Sequence, residues 1–295
     1  MRLIETCSLS LIAAVVLTAA PAVAQTVAPS ARTLTRFAAA NEVQVREFAG
    51  YVRVIPENRN DVAVGFVRPG VFRPPTYRVS RRRLIIDGNV GQIRDCRVNG
   101  PDGFEVTTRR DGKLTGAQLP VLELRVPQAA VVSASGALRL VVMPSLSADL
   151  RLDGCGDVDV ARVENEAEIS VSGAQDVRLS EAGSAEVTLA GAGDINIGAV
   201  RNGLTLSIAG AGDFTAMRAD GPTSIAVQGA GDVTIQGGHA SSLNIVIAGG
   251  GDVTHNGSAE RLDAVILGGG DVRVRHVEGE ISRRVLGGGE VVVGR

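Results

Sequence analysis

The sequence predicts an all-β protein built as a parallel β-helix: a solenoid of about 19 residues per coil, with eight clear coils and one degenerate coil, preceded by an irregular β region. Three observations carry this. First, one phrase recurs: AGAGDINI at 190–197, AGAGDFTA at 209–216, QGAGDVTI at 228–235, AGGGDVTH at 248–255, LGGGDVRV at 267–274 and LGGGEVVV at 286–293. Second, its leading glycines keep a fixed period. Gly154, Gly173, Gly191, Gly210, Gly229, Gly249, Gly268 and Gly287 fall at steps of 19, 18, 19, 19, 20, 19 and 19. Third, the flanking residues alternate apolar and polar, as in Leu204, Leu206 and Ile208 before a corner and Val233 and Ile235 after one. A fixed period of this size marks a repeat architecture, and period-two alternation marks half-buried strands. Such a short repeat has no room for a strand–helix–strand unit, but it suits one coil of a β-helix.

The elements follow in chain order. Arg2, an apolar run from Leu9 to Ala20 and the small residues AVA at 22–24 read as a secretory signal peptide, residues 1–24. The run is too short to span a bilayer, and the mature chain contains no apolar stretch approaching a membrane span. Residues 25–40 are a linker of small residues. Residues 41–130 form the irregular β region, with strands expected at EVQV, YVRVI, DVAVGFV, TYRVS, RLIID, FEVTT and VLELRVP and turns at PDG and RDG. This region should cover the first coil, because an open strand edge invites association. Residues 131–295 form the β-helix itself, beginning with the degenerate phrase SGALRLVV around Gly136.

Stacking coils at ~4.8 Å places equivalent side chains in columns, and nine coils would stand ~40 Å tall. Val158, Val177, Ile195, Phe214, Val233, Val253, Val272 and Val291 should form one inward column. A narrow tube of aliphatics needs few aromatic residues, and the chain has two Tyr, six Phe and no Trp. The same scarcity removes the stacking platforms that nucleic-acid binding uses. The corner glycines are expected to supply positive φ at sharp turns. Charge divides along the chain: residues 41–130 hold 15 basic against 10 acidic side chains, and residues 131–295 hold 12 against 21.

The stretches FAGYVRVIPENRNDVAVGF, RRRLIID and LELRVP, followed by the GxGD corners, resemble the head GIN domain family of auto-transporter adhesins over residues 41–293. The resemblance implies a right-handed parallel β-helix and an envelope or surface location. It brings no catalytic residue with it. No barrel-sized segment follows the solenoid, so self-transport is not expected.

The recurring polar group is the corner acid: Asp157, Asp176, Asp194, Asp213, Asp232, Asp252, Asp271 and Glu290. Carboxylates stacked one coil apart repel by about 1 kcal/mol in water-like surroundings, so something must offset them. One reading is that each accepts backbone N–H bonds in its turn. The other is a calcium ladder along Asp194, Asp213, Asp232, Asp252 and Asp271, although the acid follows the glycine in a different register from calcium-binding nonapeptide repeats. No cofactor and no dedicated metal site are expected. His239, His255 and His276 lack neighbours at metal-ligand spacing, and His255 falls at an inward position. Arg81, Arg82 and Arg83 read as a solvated strand face. Cys96 and Cys155 either pair in an oxidising compartment or stand apart.

The leading functional expectation is a non-enzymatic exported protein, periplasmic or at the cell surface, used for adhesion or envelope interaction. A glycan or an envelope component is a possible ligand class. The alternative is a carbohydrate-active β-helix enzyme, a polysaccharide lyase or hydrolase. Such enzymes place paired carboxylates on long loops, and the regular return of the phrase leaves little room for loops. Outward positions turn apolar in the last coils, at Val246, Val265, Leu267 and Leu286, where Ser170, Thr188 and Ser207 stand earlier. That face is expected to mediate self-association or to dock a partner protein. Arg283 takes an inward position, as though the tube were ending there.

Overall fold

The computed structural model describes residues 34–100 and 103–294. The signal peptide, most of the linker and two residues of the PDG turn lie outside the described residues. The chain winds into a β-solenoid of about nine turns with ~19-residue spacing. Each coil contributes a strand before the glycine corner and a strand after it. Strands of successive coils pair in parallel. Before the corner, Leu204–Ile208 pairs with Pro222–Val227, and that strand with Ser242–Ile247. After it, Ile195–Val200 pairs with Phe214–Ala219 and then with Val233–Ile235.

The register follows the sequence pattern residue for residue. Val158 stands opposite Val177, then Ile195, Phe214, Val233, Val253, Val272 and Val291. All of these are buried except Val291, in the last coil, which is half-buried. The column continues upstream through Leu140 and Val52 to Leu122. Aliphatic side chains of one coil therefore close over those of the next, and burial of this continuous file supplies the main cohesion between coils.

The parallel stack begins well before residue 131. The long strand Glu42–Glu57 lies parallel to Ala129–Val142. Arg83–Asp87 and Val121–Pro127 stack in parallel beneath its two halves. These early coils lack the GxGD phrase and are interrupted by insertions. Antiparallel strands close the N-terminal end: Val62–Arg68 against Val121–Pro127, and Thr76–Ser80 against Arg83–Asp87. Leu34–Phe37, inside the expected linker, pairs with the segment from Val62 to Gly65. Its Phe37 packs against the core. A separate three-stranded antiparallel sheet, Ile93–Val98, Phe104–Thr108 and Gly112–Thr115, is inserted between two of these strands.

The corner glycines act differently from expectation. Only the early corners use positive φ, with Gly136 at 120°, Gly154 at 152° and Gly156 at 116°. There the strands run through the corner, as in Ser147–Val160. From Gly173 onward the leading corner glycines do not take positive φ, and close approach between coils is what excludes a side chain. A Cβ on Gly210 would lie 1.8 Å from the Gly191 carbonyl oxygen, and one on Gly268 equally close to that of Gly249. The middle corner residue is unconstrained: a Cβ on Gly250, Gly269 or Gly288 meets nothing within 4 Å. That position is Ala192, Ala211 and Ala230 in the preceding coils.

Candidate functional site

The corner acids are tied from coil to coil. Oδ1 of Asp176 accepts the backbone N–H of Asp194 at 2.9 Å, and Asp194 does the same for Asp213. The chain continues from Asp213 to Asp232, Asp232 to Asp252, Asp252 to Asp271 and Asp271 to Glu290, all at 2.8–3.0 Å. The turn-capping expectation thus takes an inter-coil form: each carboxylate from Asp176 to Asp271 accepts the backbone N–H of the next corner acid. A charge-assisted bond of this kind contributes about 1.5–3 kcal/mol. That is of the same order as the repulsion between neighbours one coil apart, about 1 kcal/mol in water-like surroundings and about 3.5 kcal/mol at an effective dielectric of about 20. Arginines neutralise several members of the row, Arg139 and Arg178 at Asp157 and Arg273 at Asp271 and Asp252. Among the described residues no group of three or more His, Cys, Asp or Glu is arranged to hold a metal ion.

Pairing registers place Ser170, Thr188, Ser207, Ala226, Val246, Val265 and Arg284 in one outward column. The position immediately before the corner, one column over, carries Ala248, Leu267 and Leu286 in the last coils. Val246 is exposed, Leu267 is 51% exposed and Leu286 is 72% exposed, while Val265 is partly covered. The four residues therefore share one flank of the final coils, with Arg284 interrupting the valine column. Arg283 stands opposite inward-facing Ala264 and is itself exposed in the last coil.

Cys96 and Cys155 are joined in a disulfide, with Cα atoms 6.3 Å apart. The bond fastens the inserted sheet to the outer face of an early coil, where Phe104, Val106 and Leu114 pack over Ala49 and Ala137. Beside it lies an ion-pair lattice that repeat spacing alone did not reveal. Oδ2 of Asp157 accepts bonds from Arg139 at 3.1 Å and from Arg178 at 3.0 Å, and both arginines also reach Asp159. The hydrogen bond to Asp157 raises the pKa of the Arg178 guanidinium above its usual value. A sequence signal existed. The outward position two residues after the corner acid holds Asp159 and Arg178 here, whereas the following coils place Asn196, Thr215, Thr234 and Thr254 there.

His255 lies fully buried in the column between Ile235 and Val274. Desolvation pushes its pKa below the usual imidazole value. Of the other histidines, His239 is partly exposed and bonds Ser258, and His276 is exposed. The Arg81–Arg82–Arg83 run is a turn and not a strand face. Arg81 and Arg82 take φ of 49° and 65° as the two central residues of a tight hairpin turn. Arg83 opens the next strand and pairs with Glu42 at 3.0 Å.

Parallel coils, closely stacked glycine corners and a file of aliphatic side chains define a β-solenoid whose long outer faces are available for contact. The family model described as "Putative auto-transporter adhesin, head GIN domain" matches residues 107–238 and 204–294, more than half of the chain, and the protein belongs to that family. Among solved structures, a putative lipid binding protein from Parabacteroides distasonis ATCC 8503 is similar, with a TM-score of 0.51 and 13% identity over 90% of this chain and 98% of its own. At that identity the likeness is one of fold. A putative adhesin from Parabacteroides merdae ATCC 43184 aligns at 15% identity and a TM-score of 0.43, over 90% and 97% of the two chains. A putative adhesin from Bacteroides fragilis NCTC 9343 aligns at 15% and 0.39, over the same shares. No curated protein matches the sequence. Among the described residues no helix is long and apolar enough to cross a membrane.

Proposed function

We propose that the protein is an exported, non-enzymatic binding protein of the cell envelope, making adhesive contacts through the outward flank of its C-terminal coils. Membership of the head GIN domain family supports the general class. The observation that carries the specific reading is the exposure of Leu267 and Leu286 beside Val246 and Val265, on a sheet whose earlier coils present Ser170, Thr188 and Ser207 at equivalent positions. Covering a leucine that is half or more exposed contributes about 1–2 kcal/mol. Four neighbouring aliphatics on a rigid sheet lose little conformational entropy when a partner settles on them. The partner is a second copy or an envelope protein with a complementary apolar strip. Light scattering separates the two. A concentration-dependent dimer that Val265→Lys with Leu267→Lys abolishes supports self-association. A monomer whose binding to envelope fractions is lost in the same variant supports a partner. Turnover of any polysaccharide by the purified protein would overturn the non-enzymatic reading.

A further inference from the structure

The inserted sheet and the solenoid enclose a second feature, far along the chain from the C-terminal flank. Between them runs a cleft of about 590 Å³, walled on one side by Cys96, Val98 and Gly100 and floored by residues of three successive coils. Its volume lies in the range of small-molecule sites. The floor is the ion-pair lattice, to which Asp176 adds a third carboxylate.

Burial grades the floor from structural to accessible. The Asp157 side chain is 5% exposed and Arg139 15%, so this pair is a fixed base. Asp159 at 35% and Arg178 at 50% face the opening. Asp176 commits Oδ1 to the backbone of Asp194, leaving its second oxygen for another donor. The accessible edge therefore offers carboxylate acceptors next to a guanidinium donor in a constrained array. The disulfide, Val98 and Ala174 line the same cleft with apolar surface.

Charge decides which ligand this suits. Arg139, Arg178, Asp157, Asp159 and Asp176 sum to one net negative charge, and both guanidiniums already engage carboxylates. An anion would meet three carboxylates with no uncommitted cation and pay their repulsion. A simple hydrophobe would strand the polar floor. A neutral or amino polyol fits both constraints: its hydroxyls donate to Asp159 and Asp176 and accept from Arg178, while a C–H face rests on Val98 and the disulfide. We propose that the cleft between the Cys96–Cys155-anchored sheet and the Arg139–Asp157–Arg178 lattice is a saccharide site for one or two neutral or amino sugar rings.

The test uses the whole oxidised protein, titrated calorimetrically with N,N′-diacetylchitobiose, cellobiose and lactose, with a sulfated heparin disaccharide as the anionic probe. The expected result is saturable binding of at least one neutral or amino probe, weakened tenfold or more by Arg178→Ala and by Asp159→Ala. Thr234→Ala, at the equivalent position of a later coil, should bind as the wild type does. Replacing both cysteines by serine should also weaken binding, by freeing the wall of the cleft. Amide shift mapping on the wild type covers the case of a variant that fails to fold: the same probe should move Gly100, Gly156 and Ala174. No binding by any neutral or amino probe, binding of the sulfated probe alone, or shifts confined to other residues would overturn the proposal. The Val265→Lys, Leu267→Lys variant should retain saccharide binding, so failure here and failure of the C-terminal contact are separately visible.

Discussion

Changing Gly210 to alanine adds a single methyl group where two coils meet. Its Cβ would sit 1.8 Å from the Gly191 carbonyl oxygen and 2.9 Å from the carbonyl carbon, both of which are backbone atoms. Reaching ordinary van der Waals contact requires the coils to part locally by roughly 1.5 Å. Three interactions lie within that gap: Ala211 N–H to Gly191 at 3.1 Å, Gly210 N–H to Leu189 at 3.2 Å, and Asp213 N–H to Asp194 Oδ1 at 2.9 Å. Losing two or three of them, with their donors left short of partners, costs about 3–5 kcal/mol. Gly269→Ala adds the same methyl one residue into the corner of a later coil, where nothing lies within 4 Å. There the reduced freedom of the unfolded chain should stabilise by about 0.4–1 kcal/mol. Urea denaturation followed by circular dichroism, with amide exchange to locate any local opening, measures both variants. If Gly210→Ala matched the wild type, or if Gly269→Ala were equally damaging, the stacking account of the corner would be wrong.

The remaining predictions address other layers of the structure. Asp213→Asn keeps an acceptor for the Asp232 N–H and should change stability by less than about 0.5 kcal/mol, whereas Asp213→Ala leaves that donor unpaired and should cost about 1–3 kcal/mol in thermal unfolding. Calorimetric titration with calcium should reveal no site tighter than roughly millimolar; a tighter one would revive the calcium ladder. Ile208→Asp buries an unpaired charge and should cost several kcal/mol, while Ser207→Asp, pointing outward one residue earlier, should cost far less. Similar losses from the two would mean a wrong strand register. For His255, the folded-state pKa is depressed by burial, so the unfolded chain binds the proton more readily. Its contribution is thus fully present above the unfolded value of about 6.5 and is lost as pH falls from there towards the folded pKa. His255→Val should remove that part of the pH dependence, as read from denaturation midpoints between neutral and mildly acidic pH.

Periodicity made the solenoid legible because each coil obeys the same two constraints, an alternating strand and a corner that must approach its neighbour. The inward column from Val158 to Val291 could therefore be written down residue by residue. What escaped is what the period does not repeat. The early coils carry their parallel strands without the glycine phrase, since Glu42–Glu57 makes its turn through Glu47 at φ 46° and a shifted register. The reason for the later glycines was also hidden, because inter-coil distance is not a property of a single strand. The Arg139–Asp157–Arg178 lattice joins residues 18 to 21 positions apart, and only the coil register makes them neighbours. The apolar flank was readable as a change in residue type. That Arg284 interrupts it became clear only with the pairing of Val265.

Whether the C-terminal flank makes the protein's contacts is tested most directly by sedimentation of the purified protein with bacterial cell-envelope fractions, alongside light scattering of the free protein. Wild type is compared with Val265→Lys, Leu267→Lys and with a control such as Thr188→Lys, on an earlier coil of the same face. The wild type should associate with itself or with the envelope, the control should do the same, and the C-terminal variant should do neither while keeping the wild-type thermal transition. Equal association by all three proteins, or association by none, would contradict the proposed contact.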